Sequence, residues 1–579
     1  MLGFLHLPAP GTQRATAVLM CPPFGWEEMC SYRGRRIWAQ ELAAAGYPVA
    51  RIDLPGTGDS GGSSSDPELV EMWTRSISGT VEWLRDVTGA RRVAAIGIGF
   101  GGFIACRAVA AGAAIDELAL WAVPARGRAL LRELRAHAAL VAASYPEDPQ
   151  RAPPAPDGTL ELIGYPLAAP AAEALAAVDL ATEAFARSPP RRVLLLGRDG
   201  IDTDERLREH FEQAGALVSI AAGTGYGQLM AHPQETQPPT QTIAATRSWL
   251  DDADGGDPAS EAAWIAGPST ARPGYRRPST ERESLRLLHH GVELRETPLE
   301  FPHAGGRLFG VLTEPSGTGR AGLCAVLLNG GALRHIGPNR AWVEIARRWG
   351  ARGVTTLRVD HRGIGESDGP EPRTVGSLNG PEGSEQALAV LKGLRARDVP
   401  RRFVLGGLCS GAYWALHAAV ADPDVVGAMM INLYAVRWSE ALVLERERRA
   451  AGAALRGGII ERAHRGTLRR EHFVRGLRSL RPSATLRRGS VEDAQAAELE
   501  QALDQLRERD AQLLFLLSQG EPFYDQLERQ GYLGGLARWP NVEVERIPSR
   551  DHMFRSPWLQ RQVHDCLDAA LERVLQRVS

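Results

Sequence analysis

Residues 323–330 (LCAVLLNG), 354–360, 402–408, 425–433, 511–518 and 542–549 are short runs of β-branched and aliphatic residues. Between them lie longer stretches in which apolar positions recur every three to four residues. Short, uniformly apolar runs predict strands buried on both faces, and the periodic stretches predict amphipathic helices. Strands alternating with helices require right-handed crossovers, so the pattern predicts a mostly parallel, doubly wound α/β sheet. Ahead of these runs, residues 292–315 alternate apolar and polar on both sides of a Gly-Gly turn, which predicts an antiparallel hairpin.

The same pattern occurs earlier in the chain. LAAAGYPVARIDLPGTGDSGG (42–62) and RRWGARGVTTLRVDHRGIGESDG (347–369) each run from helix through Gly to strand, then Asp, then a Gly-rich turn. Asp53 and Asp360, and likewise Gly99 and Cys409, recur at almost the same offset, which predicts two copies of one fold. Residues 251–280 are rich in Asp, Gly, Pro, Ser and Ala without periodicity and divide the copies as a linker. The expected domains are therefore residues 1–250 and 281–579, the second interrupted by an Arg-, Leu- and Ala-rich helical lid at about 438–509.

Composition narrows the function classes. A hydrophobic share of 44%, a charged share of 23% and a net charge of −2 describe an ordinary globular protein with no electrostatic bias toward nucleic acid. The N-terminus lacks the basic, apolar and small-residue segments of a secretory signal, and no apolar run approaches the ~20 residues of a membrane span. A cytoplasmic location is expected. The six cysteines (Cys21, Cys30, Cys106, Cys324, Cys409 and Cys566) are scattered, with no CxxC pair and no zinc-like His spacing, so free thiols and no metal are expected.

One cysteine stands in a distinctive place. VLGGLCSGAYWALHAAV (404–420) is a strand, a sharp Gly-flanked turn and a helix, and Gly407-Leu408-Cys409-Ser410-Gly411 matches the G-x-Nu-x-G elbow that lifts a nucleophile above a sheet. A thiol there is acidified by the helix N-terminus and can pass its proton to an imidazole. The partners of such an elbow follow in chain order, acid then His, each after a later strand. Glu521, or Asp525 four residues on, stands beyond one strand, and His552 in ERIPSRDHMF stands beyond the last. The backbone N–H of Ser410, with that of Gly331 or Ala332 in LLNGGALRHIGPNR (327–340), is the expected oxyanion hole.

These motifs resemble the α/β-hydrolase superfamily over nearly all of both halves. The C-terminal half resembles the exosortase-system-associated hydrolases with a cysteine elbow, through GLCSGA (407–412), RVDHRGIGESDG (358–369) and DHMF (551–554). The N-terminal half resembles their companion type, through CPPFGWEEMCSYR (21–33) and LALWAVPARGRALLRELR (118–135). The resemblance implies two tandem α/β-hydrolase domains and a setting in bacterial gene clusters for exported polysaccharide or other specialised products.

The first half departs from the pattern, because its elbow IGIGFGG places Gly99 at the nucleophile position. Asp199 or Asp202 stands where an acid belongs and His232 roughly where a base belongs, but nothing attacks, so a pseudoenzyme domain is expected. Gly97, Gly99 and Gly102 also satisfy G-x-G-x-x-G, yet no acidic ribose ligand follows about 20 residues on, and no cofactor is expected.

The reading is an acyl-enzyme on Cys409 acting as thioesterase, acyltransferase or cyclase on an acyl thioester, carried on CoA or a carrier protein, because thiolates exchange readily with thioesters and amines. A carboxylesterase or lactone hydrolase, a non-catalytic scaffold and a homo-oligomer stay open. Arg446, Arg448, Arg449, Arg465, Arg469 and Arg470 in the lid are candidate contacts for an anionic head group or carrier phosphopantetheine, or simply a solvated face.

Overall fold

The computed structural model describes residues 2–143, 158–254, 284–317, 321–370, 380–437 and 488–578. The chain forms two compact units, the first carried mainly by residues 1–285 and the second mainly by residues 286–579. The predicted linker, 251–280, lies almost wholly outside the described residues.

In the first unit seven strands form one sheet: β1 (Leu2–His6), β2 (Thr16–Cys21), β3 (Val49–Asp53), β4 (Arg92–Ile98), β5 (Glu117–Trp121), β8 (Arg192–Leu196) and β9 (Leu217–Ala221), in the order β1-β3-β2-β4-β5-β8-β9. The short pair β6 (Leu160–Leu162) and β7 (Tyr165–Leu167) stands apart. Only β1 runs antiparallel to its neighbour in the seven-stranded sheet. Apolar clusters fill both faces, one around Leu19, Trp73 and Phe103, the other around Val18, Trp38 and Trp121.

Among the described residues the second unit has nine strands: β10 (Leu285–His289), β11 (Val292–His303), β12 (Gly306–Pro315), β13 (Leu323–Leu328), β14 (Thr355–Val359), β15 (Arg402–Leu408), β16 (Val425–Ile431), β17 (Gln512–Ser518) and β18 (Val542–Ile547). Their order is β10-β11-β12-β14-β13-β15-β16-β17-β18, with β13 to β18 all parallel. Each strand read from an apolar run is present. The strand β10 was not anticipated, because LRLLH is half-buried and its turn to β11, His290-Gly291, carries no strong sequence signal beyond its glycine. The β11–β12 turn is Ala304-Gly305, both at positive φ as a two-residue hairpin of the primed type requires, and Gly306 already pairs with His303.

Of the predicted lid at 438–509, residues 438–487 lie outside the described residues, and with them all six candidate arginines. The rest is the helix Arg488–Glu508, whose Leu499, Leu503 and Leu506 are buried in the core of the second unit. No helix among the described residues is long and apolar enough to cross a membrane.

Candidate active site

The parallel register delivers one end of each strand to the same edge. Leu328 pairs with Gly407, so the loop after β13 leaves the sheet beside the turn after β15. Ser518 pairs with Ile547, so the loops after β17 and β18 leave it side by side. Crevices at the carboxyl ends of parallel strands are where such sheets act.

The turn after β15 is strained. Cys409 sits at φ 57°, ψ −113° between β15 and the helix Ser410–Ala421, a conformation unusual for any residue but Gly. Its neighbours explain how the turn is tolerated. A Cβ on Gly407 would stand 2.2 Å from the Gly411 backbone, and one on Gly411 would stand 2.6 Å from the Asn329 carbonyl oxygen, so strand, helix and the neighbouring loop close up only because both positions are Gly. Cys409 is buried, and its N–H donates to the Ile431 carbonyl at 2.9 Å.

The loop after β13 is held from below by Asp360. The His335 N–H donates to Asp360 Oδ1 at 2.5 Å, the His335 ring Nδ1 meets Oδ2 at 2.8 Å, and both residues are fully buried. The Gly331 N–H donates to the Ser410 hydroxyl at 2.8 Å. Ser410 therefore turns its side chain to this loop rather than along its helix, and the Gly331 amide is engaged. The Ser410 amide is a first-turn donor with no intrahelical acceptor available to it.

Of the two candidate carboxylates, Glu521 reaches the imidazole: its Oε1 lies 2.5 Å from His552 Nδ1. Asp525 is exposed in the first turn of the helix Pro522–Arg529. His552 Nε2 is buried, and the Cys409 thiol is a second group that acts on the charge of the ring. Burial opposes charge on this ring, but the Glu521 carboxylate and hydrogen bonds with Cys409 and Glu521 outweigh it, pushing His552 up to about 10. At neutral pH the ring is then an imidazolium. Coupling is reciprocal, so an imidazolium stabilised by the thiolate stabilises that thiolate in turn.

The first unit repeats the backbone and changes the side chains. Gly99 has φ 49°, ψ −114°, nearly the conformation of Cys409, between β4 and the helix Phe100–Ala110. Asp53 and Asp360 form the same clasp, each accepting from a backbone N–H six residues on, Asp59 and Glu366 respectively, at 2.9 Å. Asp199 lies as far beyond β8 as Glu521 lies beyond β17. It accepts from the Gly225 and Gly227 amides at 2.6 and 2.7 Å. Those amides flank Tyr226, which lies as far beyond β9 as His552 lies beyond β18. His232, the residue expected near the base position, is exposed and packs beside the Trp26 ring, and Asp202 takes no part in the Asp199 contacts. A Cβ on Gly99 would stand 3.2 Å from the Tyr226 hydroxyl and 3.8 Å from Glu27. Burial raises the Glu27 carboxyl to about 7 despite the opposing Arg198 charge.

Residues 18–236 match the model of the alpha/beta hydrolase family. The chain has the α/β-hydrolase fold. Similar solved structures include proline iminopeptidase from Mycobacterium smegmatis, 16% identical with a TM-score of 0.32, covering 49% of this chain and all of that one. Another is Est1E from Butyrivibrio proteoclasticus with bound ferulic acid, 14% identical with a TM-score of 0.31, covering 43% of this chain and 94% of that one. A third is alpha/beta hydrolase domain-containing protein 10 from mouse, 16% identical with a TM-score of 0.28, covering 48% of this chain and 99% of that one. No curated protein matches the chain.

Sequence reasoning missed several residues that shape this candidate site: His335 below the β13 loop, Asn432 between the loops after β17 and β18, and Asp551, which binds Arg555 through its guanidinium (2.9 Å) and its amide (2.7 Å). Each works through a contact distant in sequence or through a turn, and none belongs to a short motif whose chemistry is readable alone.

Proposed function

We propose that the second unit is a cysteine-nucleophile acyl-transferring enzyme with Cys409, His552 and Glu521 as its catalytic residues. The observation that carries this reading is the imidazole of His552, bonded to Glu521 on one side and raised by the Cys409 sulfur on the other, at a strained elbow. Cys409 thiolate attacks an acyl carbonyl, forming a C–S bond and a tetrahedral oxyanion. The Ser410 amide and the amide of Ala332 are the donors best suited to hold that oxygen, since the Gly331 amide already serves the Ser410 hydroxyl. Collapse breaks the bond to the leaving group, which takes its proton from His552 Nε2. Water, an amine or an alcohol then gives a proton to His552 and displaces Cys409.

A thiolate nucleophile is well matched to thioester exchange, so the reading takes an acyl thioester as the substrate class and thioesterase, acyltransferase or cyclase as the activity. The implied setting is biosynthesis of a bacterial exopolysaccharide or specialised metabolite. Without a nucleophile, and with Tyr226 at the position of the base, the first unit is a non-covalent pseudoenzyme.

Matched acyl thioester and oxygen-ester probes test this. The wild type should favour the thioester by at least about tenfold in kcat/KM, and Cys409→Ala should lower kcat by about 10⁴- to 10⁶-fold. Equal turnover by Cys409→Ala would overturn the assignment.

A further inference from the structure

Glu521 and His552 sit on separate loops, after β17 and β18, and the nucleophile follows β15. Something must fix the spacing among the three. The strand between, β16, ends at Ile431, whose carbonyl accepts the Cys409 N–H at 2.9 Å. The next residue is Asn432, fully buried and at φ 49°, a left-handed conformation that Asn tolerates better than most residues.

Its side-chain amide is used at both ends. Nδ2 donates to the backbone carbonyl of His552 at 2.6 Å, and Oδ1 accepts from the Ser518 N–H at 2.7 Å. Ser518 in turn donates from its hydroxyl to Glu521 Oε1 at 3.3 Å, the oxygen that meets His552 Nδ1. The Asn432 N–H donates to the Leu516 carbonyl at 2.8 Å, fixing the turn to β17 itself. Two consecutive residues thus bond to the loops of nucleophile, acid and base. An apolar residue of the same size would leave the Ser518 N–H and the His552 carbonyl unsatisfied.

We infer that Asn432 is the positioning residue of the proposed reaction, joining the acid loop to the base loop so that His552 is held against both Glu521 and Cys409. The inference rests on the proposed role of Cys409. Asn432 touches no reacting atom; it sets the geometry that keeps the imidazolium–thiolate pair.

The test is the pH profile of Cys409 alkylation by iodoacetamide in the full chain, mapped to the peptide containing Cys409, together with kcat and KM on an acyl thioester probe. Asn432→Ala removes both hydrogen bonds, Asn432→Asp keeps only the acceptor, and Asn432→Ser guards against loss of fold by filling part of the space; a cooperative melt establishes that each variant is folded. In the wild type, alkylation at pH 6 should stay within about tenfold of its rate at pH 9, because a charged His552 beside the sulfur favours the thiolate form that alkylates. In the folded variants the pH 6 rate should drop at least about tenfold further relative to pH 9, with kcat reduced similarly and KM unchanged. Folded variants that keep the wild-type profile and kcat would overturn the role of Asn432 while leaving Cys409 as the nucleophile. An ordinary thiol profile in the wild type would instead overturn the function reading, and this inference with it.

Discussion

At the scale of single residues, the distinction between Glu521 and Asp525 carries the most chemistry. Both stand near the end of β17 and sequence spacing left them as alternatives, whereas the 2.5 Å contact belongs to Glu521. Glu521→Gln should remove the charge that holds His552 protonated, so that its pKa falls from about 10 toward the ordinary 6.5 and kcat drops by about 10⁴-fold. Asp525→Asn should leave both unchanged; an NMR titration of the imidazole with steady-state kinetics checks the pair. The sign is fixed: a raised His552 is charged below about pH 10, so the ion pair is present at neutral pH and is lost as pH rises through that value. Cys409, His552 and the alternatives Glu521 and Asp525 could be put forward because an elbow and a chain order announce such positions. His335 and Asn432 could not, because what they do depends on partners brought close only by folding.

At the scale of elements, the decisive unit is the strand–turn–helix from Arg402 to Ala421. Its helix is apolar on nearly every face and carries small residues where it crosses the sheet, which is why it lies so close to β15. Gly407→Ala and Gly411→Ala would each press a methyl group into backbone, at 2.2 and 2.6 Å, and should destabilise by about 1–3 kcal/mol, read as a lowered Tm. An unchanged Tm would show that the turn has room it does not have in this structure. Strands buried on both faces were legible from their apolar runs. The half-exposed β10 was not, and the helix Arg488–Glu508 was read as part of a lid because an alternation of charged and alanine-rich turns does not reveal that Leu499, Leu503 and Leu506 meet a core.

At the scale of the whole molecule, the two units share an elbow and an Asp clasp and differ in what surrounds the elbow. These shared features were visible in the sequence as glycine and aspartate, residues whose roles are backbone conformation and close approach. The substitution of Tyr226 for an imidazole was not, since aligning it requires the end of β9 rather than a motif. A nucleophile returned to the first unit should therefore stay inert: in Gly99→Cys, the new thiol should alkylate slowly at pH 6 and faster only as pH approaches its own pKa, while Cys409 keeps its rate. Labelling at position 99 as fast as at 409 at pH 6 would overturn the pseudoenzyme reading of the first unit.

The most direct measurement is intact-mass analysis of the full chain mixed briefly with an acyl thioester, followed by peptide mapping. A single acyl group on Cys409 that builds up within one turnover, and is absent in Cys409→Ala, is the predicted result. Product release at the full wild-type rate with no acyl group ever found at that position, or with the group on another residue, would contradict the account.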